Sequence, residues 1–246
     1  MTDDWDFYFL RVDDKPASIY VDLGAVATAP LAHLPHMAYV RLNMLAPRDD
    51  GLSSQGEFDT LVLIEDALKD GLVDARTDYV GRCTTDGCRD FFFYVAEPAD
   101  WPDRVAACLQ AFPAYRHEAG TREDPGWSAY FEYLYPSEAD QQTIQNRHVC
   151  DNLQSHGDAL TKPREIDHWA CFPDARSRDA FVEEAQRLGF ALRAQVDNEG
   201  ERPCGVQIFR TDVPSHGTID SVTLPLHALA VQLGGEYDGW ETAVLT

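Results

Sequence analysis

Apolar residues recur along this chain at two spacings, and the alternation between those spacings lays out its elements. Trp5 to Arg11 alternates with aromatic emphasis and predicts a strand. Ser18 to Leu23 follows as a second strand after a turn at Asp13-Asp14-Lys15-Pro16, and Met37 to Leu45 as a third. From about Ser54 to Leu72 the spacing becomes helical, through Phe58, Leu61, Val62, Leu68 and Leu72. Tyr79 to Thr84 and Phe91 to Val95 predict a hairpin around Asp86-Gly87. A helix then carries Val105, Cys108, Leu109 and Phe112, with Asp100 placed to cap it and Pro102 in its first turn. Val105, Leu109 and Phe112 are its candidate core. Ala114 to Ala119 and the aromatic run Trp127 to Tyr135 read as strands.

Pro136 closes that series. Ser137-Glu138-Ala139-Asp140 has the spacing of a capping box and predicts a helix to about Ser155, stopped by Gly157. Strand then runs over Glu165 to Phe172, helix over Asp174 to Leu188, strand over Phe190 to Val196 and Gly205 to Arg210, and helix over Leu224 to Leu233. Phe181 and Leu188 are core candidates here. Gly234-Gly235 ends the last helix, since glycine takes a left-handed terminal conformation without a Cβ clash. A final strand begins near Tyr237.

Both regions therefore repeat strand, helix, strand, strand, helix, strand. That order predicts an α+β protein of two ferredoxin-like (split βαβ) units with antiparallel sheets, 1–136 and 137–246, the first with extra N-terminal strands. Each sheet would bury one face under helices and leave the other open for binding.

Composition narrows function by exclusion. The 246 residues carry a formal net charge of −22, with 24 acidic against 11 basic residues up to Pro136 and 18 against 9 beyond it. Phosphate neutralisation needs clustered Lys and Arg, so direct nucleic-acid binding is not expected. A basic protein partner fits the charge better, although 28 Asp against 14 Glu and only three lysines also look like a general compositional bias. No long uncharged apolar run predicts a membrane span, and the acidic start is unlike a signal peptide; both favour a cytoplasmic protein. Cys83, Cys88, Cys108, Cys150, Cys171 and Cys204 include no CxxC and read as free thiols.

Candidate chemistry is sparse, and the reading assigns no catalytic, cofactor-binding or metal residue. Phosphate-binding glycine loops and the GxSxG turn are absent from the sequence. His33-Leu34-Pro35-His36 is broken by proline and reads as a loop with two exposed histidines. Asp49-Asp50-Gly51 reads as a turn. Asp167 and His168, adjacent in a strand, point to opposite faces and cannot act as an orienting pair. Tyr237-Asp238-Gly239-Trp240 has two readings: a turn whose rings cover the core, or an exposed aromatic anchor for a partner.

From about Asn146 to Thr246 the order and spacing of several motifs resemble the regulator of ribonuclease activity B family of ribonuclease E inhibitors. These are Gly157-Asp158, Pro163-Arg164-Glu165-Ile166-Asp167-His168, Phe172, Phe181, Leu188-Gly189-Phe190 and Gly234-Gly235-Glu236-Tyr237-Asp238-Gly239-Trp240-Glu241-Thr242. Residues 1 to about 136 resemble a bacterial domain of unknown function often fused to that family, through Trp5-Asp6-Phe7-Tyr8, Lys15-Pro16-Ala17-Ser18-Ile19, Gly51-Leu52, Leu63-Ile64-Glu65-Asp66, Tyr79-Val80-Gly81-Arg82, Phe91-Phe92-Phe93-Tyr94 and Trp127 through Pro136. The resemblance implies a non-catalytic regulator that binds ribonuclease E or another basic RNA-processing protein. Tyr237, Asp238, Trp240, Asp167 and Arg164 are the candidate partner-binding residues, because rings and carboxylates together suit arginine-rich segments. An acidic immunity-type protein that neutralises a basic effector, and an enzyme with scattered carboxylates, are the alternative classes.

Overall fold

A computed structural model describes residues 2–197 and 199–246, which form two compact units, 1–136 and 137–246. In the first, the strands are β1 (Trp5–Val12), β2 (Lys15–Asp22), β3 (His36–Asn43), β4 (Thr77–Thr85), β5 (Cys88–Val95) and β6 (His117–Glu123). The helices are α1 (Gln55–Leu72) and α2 (Trp101–Cys108). The sheet order is β1-β2-β4-β5-β3-β6, antiparallel throughout. Strands β3 to β6 with α1 and α2 make a split βαβ unit, and the β1–β2 hairpin extends it, as the element order predicts. Both hairpin turns use paired left-handed residues, Asp13-Asp14 and Asp86-Gly87, the backbone twist that matches flanking strands.

Leu61, Ile64 and Leu68 of α1 and Val105 and Leu109 beyond it pack on Val40, Leu42, Phe91 and Phe93. Phe58 lies at 43% exposure, so α1 is rotated away from the stripe that includes it. Phe112 is only half-buried, because the chain leaves the helical path at a 3-10 turn over Leu109–Ala111. Asp100 makes no side-chain cap to α2.

The aromatic run Trp127 to Tyr135 is not a strand. Trp127 has positive φ, and Ala129–Leu134 forms a π-helical turn. Asp124 drives this geometry by accepting from Ser128 N at 2.8 Å, Ala129 N at 3.0 Å and the Tyr94 hydroxyl at 2.7 Å. The rings then cover the sheet face opposite the helices: Trp127 stacks on Tyr94 at 3.9 Å, and the Tyr130 hydroxyl donates to Asp22 O at 2.7 Å. That face of the first unit is thus partly closed.

The second unit comprises α3 (Glu138–Ser155), β7 (Arg164–Phe172), α4 (Ala175–Arg187), β8 (Ala191–Asp197), β9 (Cys204–Asp212), α5 (Ile219–Gln232) and β10 (Glu236–Glu241). The order β10-β7-β9-β8, antiparallel at every pair, is the ferredoxin-like one. Ser137 and Asp140 form the capping box that starts α3. Helix α5 begins at Ile219, upstream of the periodic stretch, and carries Pro225 within it. Leu188 is 47% exposed beyond the end of α4 and is not a core residue. All three helices pack on one sheet face, where Cys150, Leu153, Phe181, Ala185, Val222 and Leu226 meet Ile166, Phe172, Val206 and Ile208.

Candidate protein-binding face

In β7 the alternation of buried and outward positions decides what each residue can do. Arg164, Ile166, His168, Ala170 and Phe172 point inward, while Glu165, Asp167, Trp169 and Cys171 point outward. His168 and Asp167 do part to opposite faces. His168 is 1% exposed, its Nδ1 lies 2.7 Å from the Tyr237 hydroxyl, and its Nε2 has no partner. Burial, with Arg210 nearby, pushes its pKa down to about 3, and burial raises that of Tyr237 well above its usual value. Both groups are therefore neutral near pH 7 and make a structural pair.

The other candidates in the closing segment are likewise anchored inward. Tyr237 is 5% and Trp240 7% exposed. The Trp240 Nε1–H donates to Asn146 Oδ1 at 2.8 Å. Gln142 donates to the same oxygen at 2.9 Å, and the Asn146 amide donates to Asp220 at 2.7 Å and Thr223 at 2.6 Å. One asparagine thus ties α3, α5 and β10 together. A β-bulge between Tyr237 and Gly239 turns both rings to the core side, with Gly239 at φ +111. The two rings are not an exposed anchor: burying them outweighs presenting them, because they close the end of the helix-covered core.

Arg164 is also inward. It pairs with Asp158, which further accepts from Leu160 N at 2.8 Å and Leu245 N at 2.7 Å. The hydrogen bond from Arg164 holds the Asp158 carboxyl well below its usual range. The pair pins the strand start to the C-terminal tail, so Arg164 has a structural task. Gly235 has one too, since a Cβ there would sit 2.3 Å from Phe172 Cδ1.

What remains outward forms a continuous surface on the helix-free sheet face. Register places Trp169 opposite Gln207, Asp167 opposite Phe209, and Glu241 opposite Asp167. Arg193 of β8 donates to Glu165 at 2.7 Å and to Asp167 at 2.5 Å, and its guanidinium lies 4.1 Å over the Phe209 ring. Asp238 and Glu236 border the face from β10, Glu236 paired with Arg202 at 2.7 Å. Asp167 and Asp238 belong to this surface; Arg164, Tyr237 and Trp240 do not. Trp169, Phe209 and Arg193 are the members that sequence reasoning missed. For Trp169 the signal was available in the outward phase of β7, once Ile166 and His168 are known to face in; Phe209 on β9 and Arg193 on β8 join it only through strand pairing.

Elsewhere, His36 opens β3 half-buried and only His33 of that pair is exposed. Asp50 accepts from Leu52 N at 3.1 Å in a turn that holds Gly51 at φ +83. All six cysteines are free. Among the described residues no group of three His, Cys, Asp or Glu side chains is arranged to hold a metal ion, and no helix is long and apolar enough to cross a membrane.

Residues 3–135 match the model of a family of unknown function, DUF695. The chain belongs to that family. Residues 143–242 match the model of regulator of ribonuclease activity B. No curated protein matches the chain. A solved structure of an unknown protein from Galdieria sulphuraria is 11% identical, over 85% of this chain and 99% of that one, with a TM-score of 0.23. Another, described as "putative glycine cleavage system transcriptional repressor", is 10% identical over 85% and 98%, with a TM-score of 0.22. At those scores neither likeness bears on fold or function.

Proposed function

We propose that this protein is a non-catalytic regulator that binds an RNA-processing protein of the ribonuclease E kind. It does so by laying an arginine-rich partner segment across the helix-free face of the 137–246 sheet. The observation that carries this reading is Arg193, held by two carboxylates while stacked on Phe209. The face already binds one guanidinium in the way it would bind a partner's: a carboxylate takes the fork and a ring takes the plane. Trp169, Asp238 and Glu241 offer a second set of the same groups along β7 and β10. The excess of 18 acidic over 9 basic residues in this unit supports capture of a basic segment.

The test is calorimetric titration of the full chain with purified ribonuclease E, beside an RNA-cleavage assay. Binding should weaken as salt rises, because the facing charges are exposed and screened. Trp169→Ala should weaken it by about 2 kcal/mol or more if Trp169 is a hot spot, and Glu241→Lys should weaken it further. Unchanged affinity in both variants would remove this face from the interaction; no binding at all would remove the partner class.

A further inference from the structure

On the helix side of the first unit's sheet, register aligns two cross-strand rows. Phe7, Tyr20, Arg82 and Phe91 form one; Phe9, Ser18, Thr84 and Arg89 form the other. Phe91 lies under α1 in the core. Where the β1–β2 hairpin extends the sheet, its Phe7, Phe9, Ser18 and Tyr20 join Arg82, Thr84 and Arg89 of β4 and β5 in flooring a cavity of about 360 Å³ walled by Phe58 and by Arg48, Leu52 and Ser53.

Three arginines meet there in a strongly acidic chain. Arg48 pairs with Asp50 at 2.6 Å and Arg82 with Glu65 at 2.7 Å. Arg89 differs. It is 1% exposed, its Nε donates to the Thr84 hydroxyl at 3.0 Å, and its Nη1 has no hydrogen-bond partner. Burial and the neighbouring Arg82 lower its pKa to about 10, which still leaves it charged at neutral pH. Among the described residues no carboxylate forms an ion pair with it: Glu65 and Glu57 act on it at longer range, Glu65 being paired with Arg82 and Glu57 accepting from Leu45 N and Ala46 N, and a buried cation left without a contact partner is costly. The wall residues Leu52 and Ser53 lead into the N-terminus of α1, where Ser54 makes no side-chain cap and Glu57 lies in the first turn. Around the mouth, Phe7, Phe9 and Phe58 are 39%, 60% and 43% exposed. Such a cluster of exposed rings marks a binding surface.

We propose that this cavity binds a small organic anion, a single carboxylate or phosphate on an apolar body. The anionic head completes Arg89 at the floor, and the body rests against Phe7, Phe9 and Phe58. The site lies in the 1–136 unit and is independent of the partner-binding face.

The test uses the full chain and four probes: phenyl phosphate, benzoate, inorganic phosphate and benzyl alcohol, titrated with calorimetry and ring-proton NMR. Phenyl phosphate or benzoate should bind saturably at millimolar concentration, and which of them binds more tightly identifies the head group. Inorganic phosphate and benzyl alcohol should each bind at least about tenfold more weakly, since each lacks one half of the recognition. Arg89→Met should abolish binding without lowering Tm, because it replaces a buried charge that has no ion pair by an apolar side chain of similar length. Should that variant not fold, the surface variants Phe9→Ala and Arg48→Gln decide: each should weaken phenyl phosphate or benzoate severalfold. No saturable binding of either aryl anion, equal binding of inorganic phosphate, or affinity unchanged in folded Arg89→Met or in both surface variants would overturn the proposal.

Discussion

The indole of Trp240 is hydrogen-bonded to Asn146, a residue 94 positions earlier in the chain, at 2.8 Å. Asn146 is fully buried and serves two donors and two acceptors. Asn146→Ala therefore strands several buried polar groups at once. Each costs about 1–3 kcal/mol when left unpaired, so the second unit should lose at least about 2 kcal/mol of stability. Urea unfolding followed by tryptophan fluorescence measures this. Trp240→Ala should cost about 3–5 kcal/mol, as for a core tryptophan, rather than leave the fold intact.

The His168–Tyr237 pair makes a prediction about pH. The pKa of folded His168 is lowered to about 3, while the unfolded chain titrates near its usual value of 6.5. Between those values the unfolded state holds the extra proton. The stabilisation is therefore complete above pH 6.5 and declines as pH falls toward 3. Its upper limit, for a shift from 6.5 to about 3, is about 5 kcal/mol. His168→Asn, which keeps a polar group near the Tyr237 hydroxyl, should flatten the slope of unfolding free energy between pH 6.5 and 4. An identical slope in wild type and variant would contradict the assignment.

Asp158 and Arg164 are both buried, at 4% and 8% exposure, and Nε and Nη2 of Arg164 have no partners. Asp158→Asn removes the carboxylate that pairs with this guanidinium. It should destabilise the unit by about 3–5 kcal/mol, visible as a lower Tm in calorimetry. The C-terminal tail should loosen with it, since Leu245 N donates to the same carboxylate; hydrogen exchange at Leu245 reports that directly.

Leu109 and Leu188 come from equally periodic stretches and should respond differently. Leu109, at 4% exposure, should cost about 2–5 kcal/mol on substitution by Ala. Leu188, at 47%, should stay within about 0.5 kcal/mol. Thermal melts of the two variants separate the cases.

Much of the architecture was legible because local rules and the global fold agree. The Ser137–Asp140 capping box, the Asp86-Gly87 turn and the helical stripe of Leu61 and Leu68 need only neighbours within a few residues. The Trp127 to Tyr135 run failed for the opposite reason. Its aromatic enrichment satisfies a strand pattern, but Asp124 and Tyr94, the latter brought close only by the folded sheet, impose a π-helical turn. The candidate site divided the same way. That Asp167 and His168 oppose each other follows from strand pleat, whereas the inward turn of Tyr237 and Trp240 depends on the bulge at Gly239.

Asn146 shows what pattern alone withholds. Gln142, Asn146, Cys150 and Leu153 lie on one face of α3, and two of these four are amides. That spacing marks an inward stripe with polar members, but not which groups they serve. Apart from the Trp127 to Tyr135 run, the sequence by itself determined the element order, both split βαβ units and their turns, since periodicity, caps and left-handed positions act over short stretches of chain. Only the tertiary structure decided which rings close the core and which sheet face stays bare. It also decided that Arg89 lies buried with an unpaired Nη1. Burial and pairing depend on residues that approach from distant parts of the chain, and no local spacing encodes them.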